Sequence, residues 1–179
     1  MSEYSVEDYM NEPAKWREMA DTLLQSALVV EASAYLDRDR IGEMVRSTES
    51  DYLVEAFALR FSSGAGHDEM TRVSLMLSGM AIECLLKGLI FLSGDKPSNN
   101  RHVLNEMAKQ AGVVPSSEEV ALLDYLSEMI ELGRYMWARR TKSSGFVYNS
   151  EVHPPKIASF LNKLNIEWKR KEEHRLLSS

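Results

Sequence analysis

The chain reads as one all-α domain, a single up-and-down bundle of five to six helices. Three observations predict this. Apolar residues recur at steps of three, four and seven along several long segments. No stretch alternates apolar and polar residues for long enough to make a half-buried strand. The 9 glycines and 5 prolines gather between the periodic segments, where they act as punctuation. With 179 residues, 44% hydrophobic and 27% charged, one domain can bury a sizeable core without staples. No repeat, low-complexity tract or domain-dividing linker interrupts it, so residues 1–179 are read as one domain.

Residues 1–12 are acidic, lack the features of a secretory leader and are expected to be flexible. The first helix starts near Pro13, a favourable first-turn residue, and runs to about Tyr35. Trp16, Leu23, Ala27, Val30 and Ala34 form its apolar stripe. DRDR, residues 37–40, is a solvated interruption. A second helical region covers about 41–61, can break near Ser47–Ser50, and ends at the flexible SSGAG, residues 62–66. The central helix spans about Asp68 to Leu92 and stops at Ser93–Gly94. DKPSNN turns the chain into a short helix within RHVLNEMAKQAG, where Asn99 or Asn100 can cap the start and Gly112 suits the stop.

Ser116 and Glu119 then form a capping box that opens a helix reaching about Arg140. On it Leu123, Leu126, Ile130, Arg134 and Trp137 share a stripe. Residues 141–155 make a long connection of the kind that often carries function. The last helix, Pro155 to about His174, aligns Ile157, Phe160, Leu161, Leu164 and Trp168 on one face.

The central helix is the informative one. On a wheel at about 100° per residue, with Ser74 at zero, Gly79, Glu83 and Lys87 fall at about 140°, 180° and 220°. Ser74, Ser78, Ala81 and Gly88 gather near zero, and wide apolar flanks lie between the two stripes. A helix apolar on both flanks is buried in protein or lipid. Charges at a bilayer centre are costly, about 2.5–3.5 kcal/mol each, and no second long apolar run exists. Burial within a protein bundle is therefore expected, with no membrane partner. Glu83 stands four residues before Lys87, the favourable order for an intrahelical pair. Arg134 occupies an apolar position on its own helix, where a charge needs a partner or an escape to water. It is expected to approach Glu83 across the bundle, making Glu83, Lys87 and Arg134 a buried polar set.

The net charge of −6 is unevenly spread. Residues 1–60 carry 13 acidic and 6 basic side chains, residues 61–132 carry 10 and 5, and residues 133–179 carry 4 and 10. The basic third can meet an acidic partner or pack on the acidic remainder of its own chain. GRYMWARRTKSSGFVY interleaves Arg134, Arg139, Arg140 and Lys142 with Tyr135, Trp137, Phe146 and Tyr148. Cations neutralise phosphates and aromatic rings stack on unpaired bases. The candidate binding residues are accordingly Arg134, Tyr135, Arg139, Arg140, Lys142 and Tyr148, toward nucleic acid or a nucleotide.

Other chemistry is thinly represented. Cys84 is alone in an apolar run, which excludes an intramolecular disulfide and a cysteine-built zinc site. His67, His102, His153 and His174 lie in four segments with no shared helix-face spacing, so no metal site is expected and His102 reads as structural. Phosphate-loop, dinucleotide and nucleophile-elbow motifs do not occur, and no cofactor is expected. A reducing, cytoplasmic setting is expected.

Three stretches together carry a family resemblance. SGMAIECLLKGLIFLSG resembles the second core helix of many HEPN-type domains, where a small-residue entry precedes an acidic residue and a Leu-Leu-Lys step. RHVLNEMAKQAG resembles the short helix beginning His-x-Leu that follows it. ELGRYMWARR resembles a later helix ending near an Arg-Tyr pair. The likeness covers about residues 13–140. It implies a HEPN-like bundle, commonly a homodimer, working with a neighbouring-gene protein partner in prokaryotic defence or toxin–antitoxin systems. Many HEPN proteins are metal-independent ribonucleases with an Arg-x(4–6)-His motif in a late helix, His for acid–base chemistry and Arg for phosphate charge. Here Arg134 is followed by no histidine up to Arg140. The one literal match, Arg60 to His67, straddles a glycine-rich connection, and Arg170 and His174 are one residue too close. The resemblance favours a non-catalytic binding and interaction module. A ribonuclease using Arg60 and His67, and a structural homodimer without ligand, are the alternatives.

Overall fold

Pro13 opens α1 (Pro13–Ser33), where its missing N–H costs nothing. The computed structural model describes residues 12–33, 69–97, 102–134 and 154–178. These hold four further helices, α2 (Glu69–Leu92), α3 (Leu104–Gln110), α4 (Ser117–Arg134) and α5 (Pro154–Ser178), and no strand. The region read as helical at 41–61, the SSGAG connection, Asn99 and Asn100, and the segment 135–153 lie outside the described residues.

Helix ends follow local chemistry. Gly94 and Gly112 adopt φ of 82° and 73°, the left-handed conformation that favours glycine. After α3, Val113 N–H returns to the Ala108 carbonyl and Gly112 N–H to that of Lys109, which satisfies two terminal acceptors. Gly94 and Asp95 do the same for Phe91 and Ile90 after α2. The capping box is formed in both directions. Ser116 N–H donates to Glu119 Oε2 at 2.7 Å, and Glu119 N–H donates to Ser116 Oγ at 3.2 Å. α3 departs from expectation. Its cap position is Val103, three residues past Asn100, and no side chain of its own segment caps it. Ser127 of α4 supplies the missing acceptor, taking a bond from Leu104 N–H at 3.1 Å. A neighbouring helix thus does what the asparagines were expected to do.

α2 contacts each of the other four helices and is the axis of the bundle. Ala81, Ile82, Leu86, Leu89 and Ile90 are fully enclosed. Residues 73–92 are long and apolar enough to cross a membrane, but most of this span is covered by the chain's own helices. The two small-residue positions on opposite sides explain how neighbours come so close. A Cβ added at Gly88 would run into the Trp168 ring of α5 and lie 3.2 Å from the Trp16 Cβ of α1. One at Gly79 would lie 3.2 Å from the Leu126 carbonyl oxygen of α4. α1 lies along α2 in the most extensive pairing, burying Trp16, Ala20, Leu24, Ala27 and Leu28. The sequence stripe placed Leu23 where the core uses Leu24. Ala27 lies on both lines, while Ala20 lies on the contact line alone, and alanine is too weak a hydrophobic signal to reveal it. On α5 the expected face is buried throughout, with Ile157, Phe160, Leu161, Leu164 and Trp168 all at 0–1% exposure. That helix starts one residue earlier than read and continues past His174 to Ser178.

Candidate functional site

A carboxylate in an apolar helix must be compensated, because burying an unpaired charge is prohibitive. Glu83 of α2 is 3% exposed and has both oxygens engaged. Oε1 receives Lys87 Nζ at 2.7 Å, one turn along the same helix. Oε2 receives His102 Nδ1 at 2.9 Å, from the two-residue lead into α3. Burial pushes the Glu83 pKa up, but the hydrogen bond and charge of Lys87, then those of His102, outweigh it and hold the group below the usual glutamate range. An ionised carboxylate can only accept, so His102 Nδ1 carries the shared proton, and the ring orientation is fixed from behind.

The cluster grades from dry to wet. The side chains of Glu83, Lys87 and His102 are 4%, 24% and 37% exposed. The Lys87 ammonium also lies 4.9 Å from the centroid of the Trp16 ring, a cation–π contact that ties α1 to the same point. Trp16 in turn stacks on Phe91 at 6.3 Å. Lys87 of α2 and His102 of the α3 lead therefore meet on one carboxylate, and α1 joins the cluster through the Trp16 contact with Lys87. Such a cluster can fix the α2–α3 connection on the bundle and present an imidazole and an ammonium at its edge.

Of the residues expected to form a buried polar set, Glu83 is buried and Lys87 is only partly covered. The backbone of Arg134 closes α4, while its side chain lies outside the described residues, as do Tyr135, Arg139, Arg140, Lys142, Tyr148, Arg60 and His67. The sequence reads His102 as structural, and its meeting with Glu83 is not visible there. The only signal was its place two residues before the fully buried Leu104, which fixes where the α3 lead must cross α2.

The charge asymmetry is partly answered within the chain. Lys156 of α5 meets Glu118 of α4 at 3.2 Å. Lys163 meets Glu119 at 2.7 Å and also donates to the Val114 carbonyl at 2.8 Å. Burial raises the Glu119 pKa, but Lys163 and the Ser116 N–H more than offset it and hold the carboxyl below its ordinary range. Further along α5, Arg17 of α1 sits over Trp168 at 5.5 Å and donates to Asn165 Oδ1 at 3.2 Å. Among the described residues no group of three or more His, Cys, Asp or Glu side chains could hold a metal ion.

Compared with known proteins, the chain matches no family model, no curated protein and no solved structure.

Proposed function

We propose that the chain is a HEPN-like helical module that binds single-stranded nucleic acid without cleaving it, through the basic and aromatic stretch from Arg134 to Tyr148. The family reading rests on the three resembling stretches, and their residues lie together in the fold. The polar residues of two separate resembling stretches, Glu83 and Lys87 of the first and His102 of the second, meet at 2.7 and 2.9 Å. The third stretch begins on α4, whose Leu126 and Ile130 pack at Gly79 of α2. A binding role fits the absence of a histidine between Arg134 and Arg140, and the four cations and four aromatics between 134 and 148.

The test is fluorescence anisotropy with labelled single-stranded RNA and DNA of about 20 nucleotides, at about 50 and 200 mM salt. Binding that weakens steeply with salt is expected, and Arg139→Ala with Arg140→Ala should reduce it at least about tenfold, having removed two phosphate contacts. The RNA should stay intact in EDTA. Metal-independent cleavage lost in His67→Ala would replace this reading with the ribonuclease. No binding to either strand at low salt would remove it.

A further inference from the structure

α5 continues for ten residues beyond Trp168, the last of its buried side chains among the described residues. After Trp168, no side chain up to Leu177 is buried. The exposed face of this end is not a uniform solvated one. Relative to Ile166 at zero, Arg170, Glu173 and Leu177 fall within about 40° on the wheel, making one stripe. Ile166 is 58% and Leu177 89% exposed, and the Arg170 side chain is 66% exposed. Glu173 is also exposed. The stripe reads apolar, cation, anion, apolar.

That order is its own complement when reversed. Two such helices laid antiparallel about a two-fold axis midway between Arg170 and Glu173 set Ile166 against Leu177 and Arg170 against Glu173. By symmetry each contact occurs twice. We infer that the exposed stripe of α5 is a docking surface for a second copy of this chain, in antiparallel orientation. Charge complementarity fixes the register, and the two apolar pairs flank it. Arg170 already bonds Glu167 on its own helix at 2.8 Å, and its guanidinium has donors enough to serve Glu173 of the second copy as well. About three turns of helix per copy bury less than the ~800 Å² per partner of a standard stable interface. The dimer is therefore a weak one, forming at about 10–300 μM. This surface stands apart from the nucleic-acid reading and does not depend on it.

Sedimentation velocity on the full chain tests it, across that range of concentration. Wild type shifts from monomer to dimer. Arg170→Glu and Glu173→Arg each place like charges opposite one another and should raise the dissociation constant about tenfold or more. Combining both substitutions in one chain restores opposite charges, and the constant should return to within about threefold of wild type. An equimolar mixture of the two single variants should associate as well as wild type. Ile166→Glu and Leu177→Glu should each weaken association. A chain that stays monomeric at about 300 μM, or a dimer indifferent to both single charge reversals, overturns the proposal. Circular dichroism of each variant guards against loss of helix, and every substituted side chain is exposed.

Discussion

Glu83 and Glu119 are two carboxylates solving the same problem at different depths. Each accepts a lysine at 2.7 Å and each joins a local partner to a remote one. For Glu83 the local partner is Lys87, four residues on, and the remote one is His102. For Glu119 the local partner is Ser116, three residues back, and the remote one is Lys163. The side chain of Glu83 is 4% exposed, and that of Glu119 is 19%. Glu119 has water near it and can shed a partner. Glu83 has almost none and cannot. The same bond length therefore implies different consequences for stability.

The largest effect should come from leaving the deeper carboxylate short of a cation. Lys87→Met should lower unfolding free energy by about 3 kcal/mol, because the charge that remains is buried. It also removes the contact with the Trp16 ring. Adding Glu83→Leu to Lys87→Met should recover much of the loss, since an apolar replacement carries no desolvation cost. Urea denaturation of the two variants decides it. A double variant less stable than the single one would mean that the carboxylate contributes more than the burial argument allows.

Acid should distinguish the pair next. Both groups have folded pKa values below the ordinary glutamate value, so their stabilising contribution is complete above about pH 5 and is lost as pH falls through the folded values. Unfolding free energy should therefore drop on acidification below about pH 4.5. Glu83→Gln and Glu119→Gln should each flatten that drop, at the cost of lower stability near neutral pH. The flattening should be greater for Glu83, whose partners act across a drier path. Equal slopes in the two variants would show that burial does not separate them.

The local half of each site was legible in the sequence, and the remote half was not. Glu83 to Lys87 and Ser116 to Glu119 are fixed by helix geometry alone. His102 lies 19 residues from Glu83, across a turn, and Lys163 lies 44 residues from Glu119, on another helix. Those meetings depend on how helices are stacked, which periodicity does not encode. The same limit shows in α1, where Trp16 and Ala27 fall on the stripe legible in the sequence but Ala20, Leu24 and Leu28 do not. It shows again at α3, whose cap comes from Ser127 of a different helix. Helix type, helix stops at Gly94 and Gly112, and the core face of α5 were open to reading because each is settled within one or two turns.

The shallower site gives the smallest effects, and they order themselves by the kind of bond. Ser116→Ala removes the cap of α4 and should cost about 1 kcal/mol. That loss should be nearly independent of salt, since the bond it removes, from Glu119 N–H to Ser116 Oγ, joins uncharged groups. Lys163→Met leaves the capping box in place and removes a charge that is 36% exposed. Water and counterions replace most of what it supplied, so the cost should be below about 1 kcal/mol and should shrink further in high salt. Lys163 also holds the Val114 carbonyl, a contact that salt does not screen in the same way. A residual, salt-resistant loss in Lys163→Met would therefore report that bond, measured as the difference between unfolding curves at low and high ionic strength. If Lys163→Met instead cost as much as Lys87→Met, exposure would not be the variable that separates the two carboxylates, and the distinction drawn between deep and shallow sites would have to rest on the histidine.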